Sequence, residues 1–173
     1  MTLKGKTVGI LVEKDYQDLE VWFPALRLQE EGAEVLFIGT GSAAEYKGKY
    51  GYPAAVDVTA DKLNADSLDA LIVPGGWAPD FLRRYESVLK LVRGVFKKGK
   101  IVASICHGGW VLASANVLKG KTATSFSAIR DDVSNAGARW VDKETVVDGN
   151  LITARKPEDL PAFCKAIIAS LEK

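Results

Sequence analysis

Strand-length apolar runs alternate with stretches of helical spacing along most of this chain, and this alternation limits the possible folds more than any other feature. The runs lie at residues 6–12, 33–39, 67–76 and 101–106. They are almost continuously apolar, which is typical of strands covered on both faces of a parallel sheet. We therefore expect a doubly wound α/β sandwich. In such sheets, functional sites gather beyond the carboxyl ends of the strands.

The segments between these runs predict helices with defined buried faces. The first helix starts at Asp18 and is closed by Gly32. Its buried face is predicted to carry Leu19, Trp22, Phe23, Leu26 and Leu28. Further helices are predicted over 81–100, 108–120 and 156–173. The buried side of the helix at 81–100 is predicted to carry Leu89, Val92 and Phe96.

Two further segments favour short strands. Glycines flank alternating stretches over 42–58, and this pattern predicts a small hairpin. Two short strands are also predicted on either side of the Asp148-Gly149-Asn150 turn.

The length and charge of the chain exclude several classes of protein. A chain of 173 residues is long enough for one domain with a sizeable core, so we expect a single domain over 1–173. The net charge of +1 comes from 23 basic and 22 acidic residues, and it gives no electrostatic reason to expect nucleic acid or a membrane surface as partner. No stretch approaches the roughly 20 apolar residues that span a bilayer, and we expect a cytoplasmic protein.

The cysteine and histidine content argues against disulfides and metal sites. Cys106 and Cys164 lie far apart in the sequence and do not form a disulfide framework. One histidine and no CxxC motif argue against structural zinc, so neither metal nor cofactor is expected. Apolar neighbours in the last helix predict that Cys164 is a buried structural residue.

The stretch ASICHGGW, residues 103–110, places the single histidine beside a cysteine. Cys106 ends a predicted strand and opens a helix, a position from which a side chain projects over the sheet edge. The helix N-terminus is expected to lower the pKa of the thiol, and His107 is the one imidazole available as a general base. The alternatives are a structural cysteine that caps a core strand and an inert histidine at a helix start.

Two other strand ends lead to the same edge of the sheet. Gly75 and Gly76 follow one strand, and their backbone N–H groups would form an oxyanion pocket with that of His107. Asp15, Asp18 and Glu20 follow the first strand, and a protonated carboxyl group at that strand end would donate a hydrogen bond to a thiolate. The alternatives are a plain turn at the glycines and an acidic helix start capped by Asp18.

Several segments together resemble the PfpI family of intracellular cysteine proteases. They are ASICHGGWVL, ALIVPGGWAPD, DYQDLEVWFP and GKYGY, and they occur in order across nearly the whole chain. That family belongs to the PfpI/ThiJ superfamily, which is related to class I glutamine amidotransferase domains. The resemblance implies a flavodoxin-like three-layer sandwich with a mainly parallel sheet.

The resemblance also implies roles for particular residues. Cys106 would be the reactive thiol, and Glu20 matches the family's glutamate that hydrogen-bonds it. His107 matches the histidine of the PfpI branch, and an acidic residue of a neighbouring subunit completes the site in archaeal members. Here that residue would be Asp80 of the partner subunit, so the resemblance implies a dimer or a hexamer.

The chain also departs from the family pattern at three positions. Gln17 stands where close relatives often carry a glutamate, which removes a second carboxylate from the site. Trp77 and Trp110 are also unusual, and two indoles would narrow the site or stack on a substrate.

Two classes of function remain open from the sequence. The first is a cysteine-dependent hydrolase of small peptides, or a variant in which the thiol adds to methylglyoxal as in glyoxalase III or a deglycase. The second is a stress-responsive redox sensor or chaperone with an oxidisable Cys106. Adjacency of His107 to the thiol favours the enzyme, because sensing does not require an imidazole.

Overall fold

A seven-stranded, mainly parallel sheet forms the centre of the computed structural model, which describes residues 1–173. Its strand order is β10-β11-β7-β6-β1-β2-β5, and β10 is the one antiparallel member. Two-stranded ladders join β3 to β4 and β8 to β9. The strands are β1 Thr7–Leu11, β2 Glu34–Gly39, β3 Glu45–Lys47, β4 Pro53–Ala55, β5 Val58–Thr59, β6 Ala70–Val73, β7 Ile101–Ile105, β8 Thr122–Ala123, β9 Arg139–Trp140, β10 Thr145–Asp148 and β11 Leu151–Ala154.

Helices cover both faces of this sheet and complete a three-layer α/β sandwich. They are α1 Asp18–Glu30, α2 Ala78–Leu82, α3 Glu86–Lys97, α4 Gly109–Ser114, α5 Arg130–Asn135 and α6 Leu160–Leu171. Helices α1 and α6 pack together on one face, and α3 packs with α4 on the other. The predicted fold class, the hairpin and the strands around the Asp148-Gly149-Asn150 turn are confirmed. None of these helices has the length and apolar character needed to cross a membrane.

The buried face of α1 differs from the prediction. Val21, Ala25 and Leu28 pack into the core, whereas Leu19 and Leu26 are largely exposed. The smaller Val21 and Ala25 occupy the buried side of α1, and the bulkier Leu19 and Leu26 lie on its outer side. There Leu19, Trp22 and Leu26 form one wall of an open groove, and Tyr50 and Tyr52 form the other wall.

Two predicted helices have different boundaries in the structure. The region 81–100 contains the end of α2 and all of α3, whose buried residues are Val88, Leu91, Val92 and Val95. Leu89 and Phe96 are only half-buried. Helix α4 stops at Ser114 instead of Gly120, because Asn116 takes a left-handed backbone conformation with φ +56°.

The cap of α1 also differs from the prediction. The side chain of Gln17, not that of Asp18, accepts hydrogen bonds from the backbone N–H groups of Leu19 and Glu20. Asp18 instead accepts from the N–H groups of Tyr50 and Tyr52 in the hairpin loop. The departure at Gln17 therefore has a structural role: this residue caps the helix that carries Glu20.

Candidate active site

Cys106 lies on a sharp elbow between β7 and α4. Its φ is +59°, a left-handed conformation that costs a non-glycine residue about 1–2 kcal/mol. The elbow is held because the carbonyl of Cys106 accepts a hydrogen bond from Phe126 and because Gly108 packs closely below it. A Cβ at Gly108 would stand 2.6 Å from both Ser104 Oγ and the carbonyl oxygen of Val73. The elbow brings the thiol to the carboxyl end of the sheet, where Cys106 is 8% exposed.

Glu20 brings a fully buried carboxyl group to the same place. It lies in the first turn of α1, and its Oε2 accepts a hydrogen bond of 2.7 Å from the backbone N–H of Gly75. Its other oxygen, Oε1, is buried with no hydrogen-bond partner. Burial raises the pKa of Glu20 from 4.5 to about 7, against the opposing effect of the Gly75 N–H.

Gly75 and Gly76 allow the two groups to approach each other. A Cβ at Gly75 would lie 2.6 Å from Oε2 of Glu20 and 3.0 Å from Sγ of Cys106, so no side chain fits between them. Gly76 has φ +73° and forms an antiparallel bridge with Tyr16. The predicted convergence of three strand ends is therefore present in the backbone itself.

Burial reverses the predicted pKa of the thiol. The helix terminus was expected to lower it, but burial and the charge of Glu20 raise the pKa of Cys106 from 9.0 to about 12. The backbone N–H groups of His107 and Gly76 act in the opposite direction. These two N–H groups point at the sulfur of Cys106. Their role as an oxyanion pocket for a bound substrate stays a prediction.

His107 contacts the thiol and is enclosed by aromatic rings. Its Nδ1 lies 3.2 Å from Sγ of Cys106, so the bent elbow lets neighbouring side chains meet. The imidazole stacks on Phe126 and meets the edge of Trp110, with ring centroids 5.1 Å apart in each case, and Trp77 stands at 6.3 Å. Burial lowers the pKa of His107, so the ring is neutral at pH 7.

Asp80 does not orient His107 within its own chain. Its carboxylate pairs with Arg84 one turn further along. The imidazole has no hydrogen-bond partner within the chain other than Cys106. A contribution of Asp80 of the partner subunit therefore stays a prediction.

Comparison with known proteins decides the family. Residues 6–170 match the DJ-1/PfpI family. The chain belongs to the DJ-1/PfpI family. It is 44% identical over 165 residues to Deglycase PH1704 of Pyrococcus horikoshii, covering 95% of this chain and 99% of that protein. It is 38% identical over 171 residues to General stress protein 18 of Bacillus subtilis, covering 98% of this chain and 99% of the relative.

A solved structure agrees on the fold of this DJ-1/PfpI protein. A two-domain protein of Anabaena variabilis, with DJ-1/ThiJ/PfpI-like and ferritin-like domains, superposes with a TM-score of 0.94 at 42% identity. The match covers 96% of this chain and 50% of that one. The flavodoxin-like sandwich implied by the sequence resemblance is thus confirmed.

Two residues near the thiol of this DJ-1/PfpI chain were not predicted. Phe126 stacks on His107, and the positive charge of Lys49 lowers the pKa of both Glu20 and His107. Phe126 lies in the segment 125–130, which the rule about strand ends indicates as a candidate site, but the residue itself was not singled out. Lys49 sits in the loop of the β3–β4 hairpin, and no local pattern indicates that this loop folds back over the edge of the sheet.

Proposed function

We propose that this protein is a cysteine-dependent enzyme that acts on small α-oxoaldehydes such as methylglyoxal, in the manner of a glyoxalase III or deglycase. One observation carries the proposal: the buried carboxyl group of Glu20, with a pKa of about 7, lies beside the thiol of Cys106. A carboxyl group that titrates near neutrality can both take and return a proton at physiological pH. The name of the Pyrococcus horikoshii relative, a deglycase, supports the same chemistry.

The proton content of the Cys106–Glu20 pair defines its reactive form. Below pH 7 the pair holds two protons, and above it the pair holds one. Such strongly coupled groups titrate as a unit, so the remaining proton belongs to the pair rather than to either residue. The one-proton form is the nucleophile, because the carboxylate accepts the thiol proton as the sulfur attacks.

The reaction we propose needs no external oxidant or reductant. Sγ of Cys106 bonds to the aldehyde carbon of methylglyoxal while the thiol proton passes through Glu20 to the aldehyde oxygen, giving a hemithioacetal. A base, Glu20 or His107, then removes the proton on that carbon, and the adjacent ketone carbon gains one. The hydroxyl proton of the hemithioacetal passes to the former ketone oxygen. The product is a thioester of lactate. Water attacks the thioester carbonyl, the C–S bond breaks, and lactate leaves as the thiol is reprotonated.

Peptide hydrolysis is the second candidate, and the contact between His107 Nδ1 and the thiol favours it. An amine leaving group requires a protonated, oriented imidazole. The single hydrogen-bond partner of the His107 imidazole within the chain is the thiol itself. A peptidase would therefore depend on Asp80 of the partner subunit in a dimer or hexamer. Addition of the thiol to an aldehyde has no amine leaving group and does not require an oriented imidazole. We therefore rank the aldehyde reaction first.

A redox sensor or chaperone is a less suitable function for this thiol. Oxidation requires an accessible thiolate. Cys106 is 8% exposed, and burial raises its pKa to about 12. A neighbouring carboxyl group aids proton transfer in catalysis but opposes ionisation of a sensor thiol.

Turnover of methylglyoxal tests the proposal. The purified protein should release lactate from methylglyoxal, with kcat/KM rising as the pH increases through about 7, because the pair must lose its first proton. Fluorogenic peptides should be assayed in parallel under the same conditions. Peptide cleavage without lactate would contradict the aldehyde function and favour the peptidase, and the absence of both products would contradict the enzyme.

A further inference from the structure

Trp77 presents an exposed indole beside the thiol. Its backbone is fixed, because its N–H donates a 2.8 Å hydrogen bond to the carbonyl of Asp15 and because it forms the N-cap of α2. Its side chain is 59% exposed, and the indole makes no hydrogen bond within the chain. Trp77 directly follows Gly76, whose backbone N–H faces the sulfur of Cys106.

The other aromatic rings around His107 are held more firmly. Trp110 is half-buried and donates a hydrogen bond of 3.2 Å from its indole nitrogen to Asp132. Phe126 stacks on the imidazole with an interplanar angle of 27°. Trp77 stands further out, with its ring centroid 6.3 Å from that of the imidazole, and its 59% exposure leaves the indole accessible to a ligand. Of the three aromatic rings around His107, Trp110 and Phe126 are therefore held by contacts within the chain, and Trp77 is exposed to solvent.

We propose that Trp77 is a specificity-determining residue that stacks on a planar, unsaturated substituent of the carbonyl substrate. The site would then prefer aryl-substituted α-oxo compounds to alkyl-substituted ones. This inference rests on the proposed function, because it assumes that a carbonyl compound approaches Cys106. Its physical basis is the stacking of aromatic rings, which contributes about 0.5–1.5 kcal/mol beyond the burial of apolar area.

Alkylation of the thiol tests the preference without requiring turnover. Phenacyl chloride and chloroacetone are both α-chloroketones, and they differ in a phenyl or a methyl group on the carbonyl carbon. With either reagent, Sγ of Cys106 bonds to the methylene carbon, the C–Cl bond breaks, chloride leaves and the thiol proton passes to solvent. The rate constant for phenacyl chloride is divided by that for chloroacetone. This ratio is then divided by the same ratio for N-acetylcysteine, which corrects for the different intrinsic reactivity of the two reagents.

The wild-type ratio should exceed that of the free thiol roughly 2- to 13-fold, as the stacking energy predicts. Trp77→Ala and Trp77→Leu should remove most of this preference, and Trp77→Phe should retain most of it. Mass spectrometry of the adducts, with Cys106→Ala as a blank, assigns the modification to this thiol.

Three results would overturn the proposal. The first is a wild-type ratio equal to that of the free thiol. The second is an unchanged ratio in Trp77→Leu, which would indicate bulk rather than stacking. The third is an unchanged ratio in Trp77→Ala, and a simultaneous loss of oligomers would make Trp77 a contact between copies of this chain. Failure of the proposed function would look different, since lactate would be missing while the alkylation preference persisted.

Discussion

Replacement of Cys106 by alanine should reduce lactate formation from methylglyoxal by about 10³-fold or more, to the level of the uncatalysed reaction. The sulfur forms the covalent bond to substrate in the proposed mechanism, and no other thiol lies near the carboxyl end of the sheet. The fold should survive, because alanine fits within the space that cysteine occupies on the elbow. Circular dichroism and the melting temperature check this directly.

Two further variants test whether the loss of activity is specific to the thiol of Cys106. Cys164→Ala removes the other cysteine, which is buried in α6 away from the site, and activity should remain within about twofold of wild type. Cys106→Ser keeps the shape of the side chain but replaces the thiol by a hydroxyl group that is far harder to ionise, and it should be as inactive as alanine. Substantial lactate formation by either Cys106 variant would exclude covalent catalysis at this residue.

Replacement of Glu20 by glutamine should lower kcat/KM by about 10²- to 10⁴-fold, the usual contribution of a positioned acid–base group. Glutamine retains an oxygen that can accept the hydrogen bond from Gly75 but cannot exchange a proton with the thiol. The increase of kcat/KM through pH 7 should disappear in this variant. Glu13→Gln is the matched control, because Glu13 is also a buried carboxylate but has Thr40 and Ser42 as partners.

Glu20→Gln should lower activity but raise the stability of the fold at neutral and alkaline pH. Since burial raises the pKa of Glu20 above its ordinary value, the folded state holds a proton that the unfolded state has lost between pH 4.5 and about 7. The contribution of Glu20 to the free energy of unfolding therefore falls as the pH rises through this window, by about 3 kcal/mol in total. Glu20→Gln should abolish that fall, as denaturant unfolding at pH 5 and pH 8 would reveal. An equal fall in wild type and variant would locate the titrating group elsewhere.

Much of the fold could be predicted from the sequence because buried parallel strands leave a local signature. The apolar runs at 6–12, 67–76 and 101–106 identify three central strands, which end at Leu11, Val73 and Ile105, and the edge at which their carboxyl ends meet. The rotation of α1 could not be predicted in this way. The outer side of the helix faces the hairpin loop, whose Tyr50 and Tyr52 N–H groups donate to Asp18, and the local periodicity of the helix does not reveal this contact.

The site was predictable in position but not in its electrostatics. The location of Cys106 at a strand-to-helix junction predicted the elbow, and a strained φ of +59° is found there. The sign of the change in the pKa of the thiol was wrong, because burial is a property of the assembled fold and outweighs a short helix of six residues. The part played by Glu20 could be assigned only by resemblance, since its own segment looks like an ordinary acidic helix start.

The central claim is that Cys106 and Glu20 lose one proton together near neutral pH, and the rate of thiol alkylation by iodoacetamide tests it most directly. In the wild-type protein, the rate constant for Cys106 should rise with a midpoint at about pH 7. In Glu20→Gln this step should vanish, and the rate should rise only in the alkaline range, because burial still disfavours the thiolate. Identical profiles for the two proteins would mean that the thiol ionises independently of Glu20, and the proposed proton sharing would be wrong.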